Sequence, residues 1–323
     1  MSLAKLLRLA AGAVAVLSAS VSICQAQSWP DRPVKIIMPY APGGAGDTIA
    51  RPWAEKLTQA FGQTFVVENR GGASGTIGVE AAVKSPSDGY TLLITPNSAI
   101  AIITSLRNVP YDATKHLDPV ARVGDVIGGF VVHPSLGVKT MPEFVAYAKK
   151  NPSKISFGSP GLGTSVHLRY EMLKLRTGID MLHVPYRGSA DALNDLLPGN
   201  VHMMNEIVVF PHVKAGKLVL LAISHHHRHP DFPDVPTLRE AGIQNADVPI
   251  WFAMWAPSGT PKDIIQKLNT KIGEIAKTDD MKARMQSISV SVPFQTPEEL
   301  GRQLVQDIKD NLEVIKAANV KLD

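Results

Sequence analysis

The stretch "VKIIMPYAPGGAGDTIAR", residues 34–51, decides the fold of this chain. An apolar run ends at a proline and a tyrosine, glycines follow at positions 43, 44 and 46, and apolar residues at helical spacing begin near Asp47. This order predicts a buried strand, a glycine loop and a helix with Asp47 as its N-cap. Free backbone N–H groups at such a helix start favour an anion, although a tight strand-to-helix turn alone would give the same pattern.

The same order of elements recurs along the chain. A second glycine loop, "FGSPGLGTSVHL" at 157–168, also leads from a strand-like run into a helical one. Strand-like runs that alternate with helical segments lie at 32–40, 64–69, 89–96, 126–135, 181–186, 217–224 and 250–261. The alternation predicts βαβ units with parallel sheets. Two amphipathic helices, 261–277 and 297–317, close the chain.

Two glycine loops in two halves predict an α/β protein of two lobes with a ligand cleft between them. The terminal helices need a sheet to pack on, and the economical arrangement returns them to the first lobe. The chain then crosses between the lobes near 124–130 and near 247–252. We therefore expect lobe 1 to comprise 27–127 and 250–323, and lobe 2 to comprise 128–249, with a hinge at the crossings.

The N-terminus predicts a cleaved signal peptide at residues 1–26. Lys5 and Arg8 precede an apolar run of about 15 residues, which is short of the roughly 20 that a membrane-spanning helix needs. Cys24 is the only cysteine, and Ile23 before it is too bulky for a lipoprotein signal. The mature chain then has no thiol and no disulfide, and we expect it in the bacterial periplasm.

Composition and motif spacing argue against several function classes. The 323 residues carry a net charge of only +4, and no run of five basic residues occurs, which argues against nucleic-acid binding. No lysine follows Gly46, so the first loop is not a P-loop, and Ile49 and Val166 stand where the dinucleotide fingerprint needs a third glycine.

The sequence gives little support for catalysis or metal binding. Neither Ser74 nor Ser165 lies in the G-x-S-x-G motif of a nucleophile elbow, and Ser165 and His167 are two residues apart on a predicted helix, so they point away from each other. Consecutive histidines such as those in "SHHHRHP", 224–230, rarely converge on one ion, and a solvated loop is expected there. We expect no metal and no cofactor.

Six segments in this order resemble the tripartite tricarboxylate transporter receptors, also called TctC-like or Bug solute-binding proteins. These segments are "WPDRPVKIIMPYAPGGAGDTIAR", "VVENRGGASGTIGVEAAVKSPSDGYTLLI", "FGSPGLGTSVHL", "HVPYRGSADALNDLLPGNV", "PHVKAGKLVLLAIS" and "DVPTLREAG". The resemblance runs from about Trp29 to the C-terminus. It implies a two-lobed periplasmic binding protein of the type II "Venus flytrap" kind that captures a small organic acid and passes it to membrane permease subunits without chemistry.

The resemblance also implies which residues hold the ligand carboxylate. They belong to the two glycine loops and to neighbouring strand ends, and they are Tyr40, Ala41, Pro42, Gly43, Gly44, Asp47, Asn97, Ser98, Ser159, Gly163, Thr164, Ser165, His167, Arg187, Gly188 and Glu206. Arg187 is equally compatible with a surface role. The segment "HMMNE", 202–206, departs from the D-L-M-F-D that is usual in such receptors, and Glu206 is expected to select an amino group or a hydroxyl.

The resemblance implies a monomer whose ligand is a di- or tricarboxylate, an aromatic acid or an amino acid. It implies only transient contact with the permease subunits, and no nucleic-acid partner. Two alternatives stay open at this point: a periplasmic sensor that presents its solute to a signalling partner, and a hydrolase that uses the same cleft.

Overall fold

The computed structural model describes residues 29–317 and 319–320. Contacts divide the chain into residues 1–31 and residues 32–323, and the fold given below is that of the second unit. In the first unit the Trp29–Pro30 peptide bond is cis. The predicted signal peptide, 1–26, lies outside the described residues.

The first sheet has six strands and a fully buried central strand. The strands are β1 Val34–Met38, β2 Phe65–Asn69, β3 Thr91–Pro96, β4 Leu117–Val126, β10 Trp251–Pro257 and β11 Val290–Ser291. Their order across the sheet is β11-β4-β10-β3-β1-β2. β1 pairs in parallel with β2 and β3, whereas β10 pairs antiparallel with β3 and β4. Every residue of β10, "WFAMWAP", is buried, as expected for an inner strand covered on both faces.

The second sheet has five strands. They are β5 Gly128–Val132, β6 Ser156–Ser159, β7 Leu182–Pro185, β8 Met203–Asn205 and β9 Val219–Ser224. Their order is β7-β6-β8-β5-β9, in which β6 pairs in parallel with β7 and β8, and β5 pairs antiparallel with β8 and β9.

The prediction of parallel sheets is therefore wrong for the strands that carry the chain from one sheet to the other. β4 ends at Val126 and β5 begins at Gly128, so one residue separates strands of different sheets. The strands by which the chain enters each sheet from the other, β5 and β10, pair antiparallel with both of their neighbours. The strands by which it leaves, β4 and β9, run in the same direction as β3 and β8. β4 was not predicted, because Pro119, Arg122 and Asp125 interrupt its apolar pattern.

Helices cover the faces of the sheets. They are α1 Ala45–Phe61, α2 Thr76–Val83, α3 Ile103–Leu106, α4 Ala113–His116, α5 Met141–Lys150, α6 Ser165–Thr177, α7 Ser189–Leu196, α8 Phe210–Lys214, α9 Lys262–Lys277, α10 Asp279–Ser287 and α11 Pro297–Ala317. None of those in the described part of the chain has the length and apolar character that crossing a bilayer demands.

The terminal helices pack on the first sheet. α9 and α11 lie within one residue of the predicted 261–277 and 297–317, and the short α10 between them was not predicted. Leu300 and Leu304 of α11 belong to a buried cluster with Trp251 and Trp255 of β10. Burying each leucine contributes about 1.5–3 kcal/mol, so this seam holds the C-terminal segment to the first sheet.

Candidate functional site

The first glycine loop leaves the start of α1 open. Gly44 is the N-cap, with no side-chain cap, and Gly43 has φ 76°, a left-handed conformation that favours glycine. Asp47, expected as the N-cap, is instead the third helical residue, and its Oδ2 accepts from Gly43 N–H at 3.0 Å and from Arg51 Nε at 2.9 Å. Burial raises the pKa of Asp47, but these bonds outweigh burial and hold the pKa below its ordinary value. Asp47 therefore fixes the loop.

The second glycine loop is held by its own side chains. Thr164 is the N-cap of α6; its Oγ1 accepts from His167 N–H at 3.3 Å and donates to Gly161 O at 2.8 Å. His167 Nδ1 accepts from Gly163 N–H at 3.2 Å, and Ser159 Oγ accepts from Gly161 N–H at 3.1 Å. These bonds fix where α6 begins.

The aromatic rings of Phe157, His183 and His167 stack against one another beside the second loop. The His183 ring lies 4.8 Å from Phe157 and 4.1 Å from His167, centroid to centroid, and His183 Nε2 lies 2.6 Å from Ser159 Oγ. Burial, helped by His167, lowers the pKa of His183 to about 3. The His183 ring is therefore neutral at physiological pH and acts as packing.

The N-terminus of α7 meets the first loop. Gly188 is the N-cap of α7, in extended conformation and without a side-chain cap. A Cβ on Gly44 would lie 3.5 Å from Ser189 N, and a Cβ on Gly188 would lie 3.2 Å from Ala41 Cβ. Three helix starts, those of α1, α6 and α7, thus converge on one place.

That place is a small cavity between the two sheets. Its volume is about 40 Å³, room for a few water molecules. Its lining combines the three helix starts with residues of the crossing segments, and consists of Tyr40, Gly44, Ala45, Gly46, Pro96, Ser98, Val126, Pro160, Thr164, Ser165, Val166, Ser189, Glu206, Ile250 and Phe252.

The electrostatics of the cavity come from the main chain. Among the described residues that line it, none is lysine, arginine or histidine. The positive ends of three helices supply the favourable potential for an anion. The hydroxyl groups of Thr164 and Ser165 in the lining already donate, to Gly161 O and to Asn97 Oδ1. Such a site suits a carboxylate group.

Glu206 is the one carboxylic acid among the described lining residues. It is 5% exposed, and its Oε1 accepts from Ser189 Oγ at 2.9 Å. Burial raises the pKa of Glu206 to about 7, although the Ser189 bond and the charge of Arg169 act in the opposite direction. Near neutral pH the group is therefore only partly ionised.

Asn97 joins the cavity wall to the second crossing segment. Its Oδ1 accepts from Ser165 Oγ at 3.2 Å, and its Nδ2 donates to Pro249 O at 3.1 Å and to Asp307 Oδ2 at 3.3 Å. Asp307 also accepts from Trp251 Nε1 at 2.7 Å. The amide thus joins the second loop, the chain before β10 and helix α11.

The structure brings part of the expected site set together at the cavity wall. The expected residues that line it are Tyr40, Gly44, Ser98, Thr164, Ser165 and Glu206. The expected residues outside the lining are Ala41, Pro42, Gly43, Asp47, Asn97, Ser159, Gly163, His167, Arg187 and Gly188. Several of these hold the loops by the bonds given above, whereas Arg187 is exposed.

The most informative lining residue that the sequence analysis missed is Ser189. It follows Gly188 in "PYRGSADALN", a third strand–glycine–helix sequence that is shorter than the other two and has only one glycine. The pattern was available, but its significance depends on α7 facing the first loop. The apolar wall from Val126, Ile250 and Phe252 carried no sequence signal.

The histidine cluster is split by the fold. His226 and His227 are exposed, as expected for a solvated loop, but His229 is 1% exposed and its Nε2 lies 2.7 Å from Ser289 Oγ. Among the residues that the structure describes, no group of three or more His, Cys, Asp or Glu side chains is arranged to hold a metal ion.

Comparison with known proteins identifies the family. Residues 49–320 match the family described as "Tripartite tricarboxylate transporter family receptor" (TctC). The periplasmic binding protein BugD has 33% identity, a TM-score of 0.86, and coverage of 91% of this chain and 99% of that chain. Rpa4515 of R. palustris, solved with adipate, has 32% identity, a TM-score of 0.88, and coverage of 91% and 99%.

MatC of Rhodopseudomonas palustris, solved with bound malate, has 27% identity, a TM-score of 0.84, and coverage of 89% of this chain and 100% of that chain. The two-sheet α/β fold and these likenesses agree over nearly the whole described length. The chain belongs to the tripartite tricarboxylate transporter receptors, the TctC or Bug family of periplasmic solute-binding proteins.

Proposed function

We propose that this protein captures a small carboxylate-bearing solute in the cavity between its sheets and delivers it to a tripartite tricarboxylate-type membrane transporter, without chemistry. The observation that carries the proposal is the convergence of three helix N-termini on a cavity whose described lining has no cationic side chain. Adipate and malate, the ligands named for two solved relatives, are both small carboxylates.

The proposal includes two lobes that close on the solute. Lobe 1 comprises 27–127 and 250–323, lobe 2 comprises 128–249, and the crossings at Ile127 and before Trp251 form the hinge. The small volume of the cavity supports closure, because a solute larger than a few waters fits only when the parts of the wall that belong to the two lobes move apart. The closed, liganded state gains contacts from both sides at once. A signal peptide at 1–26 directs the chain to the periplasm.

Scanning calorimetry against a panel of organic acids tests the proposal. The panel contains mono-, di- and tricarboxylates, aromatic acids and amino acids. A true ligand at 100 times its Kd raises the free energy of unfolding by about 2.7 kcal/mol. NMR of the solute after incubation shows it unchanged. Stabilisation by no member of the panel would refute the proposal, and turnover of the solute would favour an enzyme.

A matched pair of cap variants locates the site. Thr164 and Thr140 are both helix N-caps whose Oγ1 accepts an amide hydrogen at 3.3 Å, from His167 and Glu143 respectively. Alanine at either position costs about 1 kcal/mol of stability. Only Thr164 lines the cavity, where its bonds set the start of α6, so only Thr164→Ala weakens ligand binding, by about tenfold. Equal affinities in the two variants would mean that the site lies elsewhere.

A further inference from the structure

Glu206 is the lining group that anion binding leaves unexplained, and its role deepens the proposed function, on which this inference rests. The helix starts favour a negative charge in the cavity, yet the one carboxylic acid of the described lining is 5% exposed in the same wall. An ionised Glu206 repels a ligand carboxylate, and burying it costs free energy unless it is paired. An apolar side chain in place of Glu206 would favour binding more strongly if the solutes were carboxylates without a hydroxyl or amino group.

Glu206 has acceptor capacity to spare. A carboxylate can accept about four hydrogen bonds, and the donors that this chain supplies to Glu206 are the Ser189 hydroxyl, at 2.9 Å from Oε1, and the main-chain N–H of Ile207. A hydroxyl has one hydrogen, so Ser189 cannot donate to a solute while it donates to Glu206. When Glu206 is ionised, a solute beside this pair meets hydrogen-bond acceptors.

The charged and titratable neighbours of Glu206 are Arg169 and Tyr170 of α6 and Tyr40 of the first loop. Arg169 Nε donates to Val248 O at 2.7 Å, and its Nη1 donates to Asn205 Oδ1 at 2.8 Å. The Tyr40 hydroxyl donates to a main-chain carbonyl at 3.1 Å. The donors of Arg169 and Tyr40 are therefore directed to other partners, and a donor on the solute is the natural partner for Glu206.

We propose that Glu206 is the acceptor that selects solutes carrying a hydroxyl or ammonium donor beside their carboxylate, that is, hydroxy acids or amino acids. The three helix starts hold the carboxylate, and Glu206 receives the donor. An unsubstituted acid would leave buried acceptors unpaired, and sites built to hydrogen-bond a solute OH or NH reject the analogue that lacks it.

Isothermal titration calorimetry with solutes that differ only at C2 tests this selection. The sets are propionate, lactate and alanine, and succinate, malate and aspartate. The donor-bearing members bind the wild type at least tenfold more tightly than the unsubstituted member. If the wider panel yields another carboxylate, the comparison uses its hydroxy and amino derivatives.

Two variants of Glu206 separate the two donors. Glu206→Met removes the acceptor and reduces both preferences to within about threefold. Glu206→Gln keeps an acceptor oxygen but no charge, so it retains the hydroxyl preference and loses the ammonium preference. An ammonium preference also grows from pH 6 to pH 8 as Glu206 ionises, whereas a hydroxyl preference does not. Glu143→Gln, an exposed acid outside the cavity, leaves every affinity unchanged.

Three results distinguish this inference from the proposed function. Equal binding of all members of a set refutes the selection and leaves carboxylate capture standing. Tighter binding of unsubstituted acids as pH falls, lost in Glu206→Gln, also refutes it, because Glu206 would then act as a protonated donor. Binding of no acid in the whole panel refutes carboxylate capture itself, and this inference with it.

Discussion

Replacing Glu206 by glutamine changes how the stability of the protein depends on pH. Burial raises the pKa of Glu206 from 4.5 to about 7. The unfolded chain therefore loses this proton near pH 4.5, whereas the folded protein keeps it until about pH 7. Between these values the folded state binds more protons, so the contribution of Glu206 to stability falls as pH rises.

The size of the effect follows from the shift. One pKa unit corresponds to 1.36 kcal/mol, so a shift from 4.5 to about 7 corresponds to roughly 3 kcal/mol. Glutamine resembles the protonated acid and does not titrate. The free energy of unfolding of Glu206→Gln minus that of the wild type should therefore increase by roughly 3 kcal/mol from pH 4.5 to pH 8.

Urea unfolding of both proteins at pH 4.5, 6, 7 and 8 measures this difference in the free energy of unfolding. The contributions of all other titratable groups are common to the two proteins and cancel in the difference. Glu171→Gln is a control of opposite sign: burial raises the pKa of Glu171, but bonds with His167 and Lys174 outweigh burial and lower it. That variant loses stability relative to the wild type above the ordinary pKa, and the loss disappears in acid. A Glu206 difference that changes by less than about 0.5 kcal/mol across the range would refute the reasoning.

Two further predictions concern the crossing segments. Asn97→Ala removes the bond to Ser165 and leaves Pro249 O without its donor, so urea unfolding should show a loss of about 1–3 kcal/mol; a loss below 0.5 kcal/mol would mean that Asn97 does not join these elements. Gly128→Ala would place a Cβ 2.6 Å from Arg169 Nη1 and should lower the free energy of unfolding by about 1–3 kcal/mol. In Gly301→Ala of α11 the nearest atom to the new Cβ is at 3.6 Å, so this variant should raise the free energy of unfolding by about 0.5–1 kcal/mol. Equal effects of the two alanines would contradict the close packing at Gly128.

Local patterns predicted the elements whose signals are short-range. The strand, loop and helix around Gly43 and Gly44 follow from apolar runs and glycine, and α9 and α11 follow from helical periodicity. β4 could not be predicted, since its polar residues are accommodated by neighbours distant in sequence: the Arg122 guanidinium, for example, lies 5.2 Å from the centroid of the Trp251 ring. Antiparallel pairing of β10 is likewise decided by packing.

Of the candidate site, only the residues in the glycine loops could be predicted from the sequence. Thr164 and Ser165 follow from the glycine pattern, but the position of Ser189 beside Glu206 depends on how α7 packs against the first loop. The exact helix start also differed: a carboxylate three residues into a helix can bond backward, as Asp47 does to Gly43, and a sequence does not distinguish that from a cap.

The composition of the cavity wall bears on how the candidate binding site can diverge. Its positive potential comes from main-chain amides at the starts of α1, α6 and α7, and amides are present whatever the side chain, except at proline. Substitutions at Glu206, Ile250 or Phe252 can therefore reshape the wall while those amides persist. In the proposed function the main-chain amides hold the carboxylate and the side chains of the wall select among solutes that carry one. Because these are different atoms, selectivity can change by substitution while carboxylate binding is retained.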